Sequence, residues 1–223
     1  MNFKRILSYF YPITIHQTLS DINQNLEITW NNGQLVLDSK NTNFSYGSLQ
    51  RVMRIGLNRI GKDRITQAES ILLLGVAGGS VIQTLRKEYH TNGKITGVEI
   101  DEKTIALANT YFSLNTISNL EIVINDASEY IKTTSGKFDL LIIDIFQDKI
   151  MPDFLFTDEF ITNIKRILTN NGFVLFNSIV TLSDDYERNK KFEKLLQSKF
   201  KTVIKVSRVE GDNELFIFSN ENH

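Results

Sequence analysis

Along the chain, apolar residues recur at two periods, two and about 3.6, and the switches between them outline the elements. LEITWNNGQLVLD (26–38) alternates apolar and polar positions on both sides of Asn32-Gly33, a pair that accepts the positive φ of a tight turn, and predicts a β-hairpin. Leu49, Val52, Met53, Leu57 and Ile60 then fall at helical spacing behind Ser45-Tyr46-Gly47-Ser48, with Ser45 or Ser48 as the expected N-cap. The polar, glycine-led stretch GKDRITQAE (61–69) predicts a soft boundary. It separates an N-terminal hairpin-and-helix appendage, 1–62, from a main domain, 63–223.

Beyond that boundary, short β-rich runs alternate with helical patterns. The pairs are 71–74 with 81–89, 95–100 with 104–112, 120–124 with 127–131, 140–143 with 158–168, and 173–176 with 186–200. Strand–helix alternation needs crossover connections, so these five strands are expected to lie parallel with both faces covered. Thr202–Val206 and Glu214–Phe218 are joined by too few residues for a crossover helix and must pair antiparallel. The predicted class is α/β: a doubly wound, mostly parallel, Rossmann-like sheet with an antiparallel C-terminal hairpin, plus the small N-terminal β-hairpin and helix.

Composition narrows the chemistry. With 223 residues, 41% of them hydrophobic and 23% charged, the chain can bury a substantial core. A net charge of -1 provides no global basic field, and Lys190, Lys191, Lys194, Lys199, Lys201 and Lys205 read as a solvated face, so no nucleic-acid partner is expected. The absence of cysteine excludes disulfides, thiolate nucleophiles and cysteine-bound zinc. His16, His90 and His223 lie far apart without ligand spacing, and no metal is expected. No apolar run approaches the roughly 18 residues of a membrane span, and the first segment lacks the core and cleavage site of a signal peptide. A cytoplasmic protein with no membrane partner is the expectation.

The strongest motif is ILLLGVAGGS (71–80), a buried strand running into a glycine-rich turn and a helix start: a ligand cradle or a tight packing turn. The next strand ends in GVEID, placing Glu99 and Ile100 at the neighbouring tip, where a carboxylate can accept both ribose hydroxyl protons. Asp126, in NDA at the third strand end, is suited to cap the following helix or to accept from an adenine amine. Together the three tips describe an adenosine site. The loop matches G-x-G-x-x-G only at Gly75 and carries no Gly-Lys-Ser/Thr, so a cofactor without phosphates fits it better. The fourth strand, FDLLIID, delivers Asp144 to the same rim as a candidate for positioning a nucleophile and taking its proton, or for orienting the cofactor amine. Asp148 is a candidate second carboxylate or a solvated loop acid.

At this point LLLGVAGGSVIQTL (72–85), GVEIDEKTIALANTYF (97–112), NDASEYI (125–131), FDLLIIDIF (138–146), PDFLFTDEF (152–160) and ILTNNGFVLFN (167–177) resemble the spermidine synthase-like branch of the class I methyltransferase superfamily. LVLDSKNTNFSYGSL (35–49) is similar to that family's amino-terminal hairpin. The resemblance implies a seven-stranded sheet, a small N-terminal β-element, frequent homodimers, and S-adenosylmethionine or its decarboxylated form as cofactor. By position it assigns Gly75, Ala77, Gly78 and Gly79 to the cofactor loop, Glu99 and Ile100 to the ribose side, Asp126 and Ala127 to adenine, and Asp144 to the catalytic aspartate. The family's loop aspartate is replaced by Gly78, its post-hairpin acidic group by SYGSLQ (45–50), and its Asp-Ser-x-Asp by DIFQ (144–147). Tyr46 and Gln50 are left as candidate substrate-rim or packing residues. A doubly charged diamine needs carboxylates along its slot, so these departures point to a methyltransferase acting on a small-molecule acceptor. Aminopropyl transfer of the spermidine synthase type and a non-catalytic binding module are the alternatives.

Overall fold

A computed structural model describes residues 3–39, 43–146 and 150–221. A short helix, α1 (Phe3–Leu7), precedes a four-stranded antiparallel sheet of β1 (Ile13–Ser20), β2 (Gln24–Asn31), β3 (Gln34–Ser39) and β4 (Asn43–Ser45), in that order. The predicted hairpin is β2–β3, turning at Asn32 and Gly33 with φ of 48° and 75°. The strands β1 and β4 flanking it were not anticipated.

Then come α2 (Gly47–Ile60), α3 (Lys62–Gln67), β5 (Ser70–Leu74), α4 (Ser80–Lys87), β6 (Lys94–Glu99), α5 (Glu102–Phe112), β7 (Leu120–Ile124), α6 (Ala127–Thr133) and β8 (Phe138–Ile143). They are followed by α7 (Asp158–Ile167), β9 (Leu168–Ile179), α8 (Ser183–Lys199), β10 (Thr202–Val209) and β11 (Asn213–Ser219). The main sheet has seven strands in the order β10-β11-β9-β8-β5-β6-β7, with β5 to β9 parallel and β11 antiparallel to both β9 and β10. The fold is methyltransferase-like, as expected.

Alternation along the buried strands sorts the core into two layers. Leu73, Ile142, Leu175 and Ile217 face one way, packing with Val52, Met53 and Leu57 of α2 and with Ile82 and Leu85 of α4. Leu72, Leu74, Leu141, Phe176 and Phe216 face the other, under Ile161 and Ile164 of α7 and Phe192 and Leu196 of α8. A third cluster seats the N-terminal sheet on the main fold: Leu26, Ile28 and Leu37 pack on Leu107 and Phe112 of α5.

One local expectation is corrected. Neither Ser45 nor Ser48 caps α2, whose N-cap is Tyr46 at φ 71° with no side-chain capping bond. The Ser45 hydroxyl instead accepts the N–H of Ser80 at the start of α4, 3.3 Å away, because β4 carries it across to the glycine-rich turn. Within the polar stretch from 61 to 69, Gly61 at φ 105° turns the chain from α2 directly into α3.

Candidate active site

In an open α/β sheet the strand order reverses at one point, and the crevice outside the carboxyl ends of the strands there is where ligands bind. Here the reversal falls between β5 and β8. Leu74 O accepts the N–H of Asp144, and a Cβ built on Gly75 would lie 2.1 Å from Asp144 O, so only glycine lets these two strand ends come this close. The turn then passes through Ala77 at φ 47°, a left-handed conformation that costs a non-glycine residue about 1–2 kcal/mol.

Glu99 holds that turn in place. Its Oε2 accepts the N–H groups of Val76 (3.1 Å) and Ala77 (3.0 Å), and its Oε1 those of Ile100 (3.0 Å) and Asp101 (3.1 Å). Burial pushes this carboxyl above the ordinary range, against the pull of the four backbone donors. The position expected from the sequence to read a ribose is therefore the brace of the loop. Ile100 beside it is 44% exposed, an apolar platform open to the crevice.

Asp126 does cap α6: its Oδ1 accepts from Ser128 N (2.7 Å) and Glu129 N (3.3 Å). Both bonds fall on one oxygen, and the residue also lines the crevice, so the two readings of it are compatible. Asp144 Oδ1 accepts from the amide of Asn177 on β9 at 2.9 Å, and burial pushes its pKa up to about 7. A carboxyl titrating there is placed to act as a general base near neutral pH.

These groups surround one cleft at the carboxyl ends of the strands. Of the expected site residues, Gly75, Ala77, Glu99, Ile100, Asp126, Ala127 and Asp144 line it. Gly78 and Gly79 do not. Gly79 is the left-handed N-cap of α4 and lies against Leu114; Gly78 lies against Ser45 and Tyr46. Tyr46 and Gln50 face a separate groove: the Tyr46 ring stacks on Phe112 with its hydroxyl 3.3 Å from Gly78 O, and Gln50 donates to Thr84 Oγ1. Asp148 lies outside the described residues.

Sequence reasoning missed Asn23, Thr104, Pro152 and Phe154, all of which line the cleft. Asn23 sits in the β1–β2 turn, which Asp101 draws over the site: Ser20 Oγ and Asn23 Nδ2 both donate to Asp101 Oδ2, and Lys103 Nζ donates to Leu19 O. Asp101 also caps α5 through Lys103 N. The Thr104 hydroxyl is buried without a hydrogen-bond partner among the described residues.

Known proteins are similar to this chain in sequence and fold. A family model described as the spermine/spermidine synthase domain matches residues 54–209. The polyamine aminopropyltransferase of Vibrio vulnificus (strain CMCP6) is 32% identical over 116 residues, 51% of this chain and 38% of that protein. The matched stretch spans half or less of the length of the curated relatives. Among solved structures, a spermidine synthase in complex with the transition-state analogue AdoDATO superposes with a TM-score of 0.72 at 19% identity, covering 93% of this chain and 72% of that one. Human methyltransferase-like protein 13 in complex with SAH gives 0.67 at 20% identity, covering 80% and 84%. At these identities the structures share the fold.

Proposed function

Because the chain belongs to the spermine/spermidine synthase family, we propose that it transfers an aminopropyl group from decarboxylated S-adenosylmethionine to an amine acceptor, with Asp144 as the general base. The observation that carries this reading is the charge of the cleft. Glu99, Asp126 and Asp144 line it, and no Lys, Arg or His does so among the described residues. A donor with a sulfonium and an ammonium but no carboxylate suits those walls. One that keeps its carboxylate would meet three acids and no cation. The relatives named as polyamine aminopropyltransferases support the same choice over methyl transfer.

The donor supplies an electrophilic carbon: the acceptor nitrogen bonds to it as its C–S bond breaks, and the electron pair stays on the sulfur of a neutral thioether nucleoside. The residues of the chain do the rest. Ile100 offers an apolar face to the base, and Glu99 and the turn it braces fix the sugar end. Asp144, ionised above about 7, takes the proton that the acceptor amine must lose.

Gly78 favours methyl transfer as a second reading, because the family aspartate that grips the donor amine is absent and Ser45 and Tyr46 fill the space a Cβ would need. The test is to incubate the protein with each donor and a panel of mono-, di- and triamines and to follow the acceptors by mass spectrometry. Gain of one aminopropyl unit with the decarboxylated donor is the expected result. Gain of a methyl group with S-adenosylmethionine alone would replace this reading by the second.

A further inference from the structure

We propose that Asn177 and Asn213 are positioning residues that hold the Asp144 carboxylate in a single orientation, with one oxygen tied to the sheet and the other presented to the cleft. The inference rests on the reading of Asp144 as the base, but its geometry stands independently. Asn177 is 1% exposed, at the end of β9 beside the tip of β8. Its Nδ2 donates to Asp144 Oδ1 at 2.9 Å, and its Oδ1 accepts from Asn213 Nδ2 at 2.9 Å.

A primary amide is a donor on one side and an acceptor on the other, and its second partner decides which side faces the first. Asn213 offers an NH₂ to Asn177, so the Asn177 oxygen turns toward β11 and its nitrogen toward Asp144. With the amide reversed, two oxygens would face each other whenever Asp144 is ionised. Asp144 Oδ2 has no hydrogen-bond partner among the described residues, which leaves it for the acceptor. The C-terminal hairpin is what makes this relay. It inserts β11 directly beside β9, and the N–H of Val180 donates to Asp212 O at 2.7 Å, holding the turn before Asn213 against the end of β9.

Among the described residues, the other charged groups near Asp144 are engaged elsewhere. Across the cleft, Glu99 accepts four backbone N–H groups and Asp126 caps α6. On β11, Glu214 is turned to Asn189 Nδ2 and Lys205 Nζ, and on α8 Arg188 bonds Asp185 and Ile179 O. The neighbour that sets the carboxylate is thus a neutral amide.

The experiment is a ¹³C NMR titration of aspartate carboxyl carbons, with the Asp144 signal assigned by its loss in Asp144→Asn. Asp144 is expected to titrate near 7 in the unmodified protein. In Asn177→Leu, which removes the donor at similar volume, the midpoint should rise by about one unit, the size of one lost hydrogen bond to a charged group. Asn213→Ala, a milder change at a partly exposed residue, should move it the same way by less and serves where Asn177→Leu fails to fold. A midpoint unchanged in a folded variant overturns the proposal. Aminopropyl transfer is assayed on the same samples. If the midpoint moves but the unmodified protein transfers nothing, the positioning role stands and the transferase reading falls. If transfer occurs and the midpoint is static, the reverse holds.

Discussion

A carboxyl that is half-buried to serve as a base carries a cost that can be read from stability. Asp144 keeps its proton in the folded protein up to about 7, whereas an unfolded aspartate loses it near 3.9. Between those values the folded state binds more protons, so this residue's contribution falls as pH rises and is constant above about 7. Asp144→Asn is therefore expected to raise the melting temperature at pH 8 by more than at pH 5 while lowering transfer at least ~100-fold, with donor affinity nearly unchanged. Melts at both pH values and calorimetric binding check this. In the unmodified protein kcat/KM should climb as pH passes upward through about 7, because only the ionised carboxylate takes a proton. Gly78 makes a different prediction. A Cβ there would lie 2.9 Å from Ser45 Cβ, so Gly78→Ala should cost about 1–3 kcal/mol, and denaturant melts should show part of it recovered in the Ser45→Gly, Gly78→Ala pair. The missing loop aspartate and the replaced post-hairpin residues are thus one change in packing.

Among the elements, those with a continuous apolar run or a clear alternation around a turn signal are legible in the sequence. Ile71–Leu74, Leu140–Ile143 and Phe173–Phe176 read as strands because their apolar runs are continuous, and the antiparallel end followed from a connection too short to cross over. The strand β1 escaped because it pairs with β2 alone, is mostly half-exposed, and shifts register between Thr14 and His16. The three residues of β4 are too few for any period to appear. That Gly75, Glu99, Asp126 and Asp144 meet at one cleft is legible because each ends a strand in a recognisable motif. Asn177 and Asn213 were not: a neutral amide has no motif, and their meeting depends on β11 lying beside β9, a spatial order the sequence does not spell out. The same holds for the β1–β2 turn, whose place over the cleft depends on Asp101. Asp101→Ala removes the acceptor of Ser20 and Asn23 as well as the α5 cap. Faster amide hydrogen exchange across 19–26, together with weaker donor binding, is the expected outcome of that change; exchange equal to the unmodified protein would show that the turn is held by packing on α5 alone.

At the scale of the whole molecule, the seven-stranded sheet gathers three acidic strand ends at its reversal point, and the N-terminal sheet closes over them from α5. In a chain of net charge -1, the described residues of this cleft include three carboxylates and no Lys, Arg or His, the feature on which the proposed cationic donor rests. From the sequence alone, polyamine synthesis ranks below methyl transfer because the family's acceptor carboxylates are replaced. The family match and the charge of the cleft favour aminopropyl transfer, while at Gly78 the space a side chain would need is filled by Ser45 and Tyr46. The choice of donor is the claim on which this account turns. An equimolar mixture of S-adenosylmethionine and decarboxylated S-adenosylmethionine, supplied with an amine acceptor, tests it in one chromatogram. The account predicts 5′-methylthioadenosine as the nucleoside product, absent with Asp144→Asn. Accumulation of S-adenosylhomocysteine, with the decarboxylated donor left intact, would contradict it.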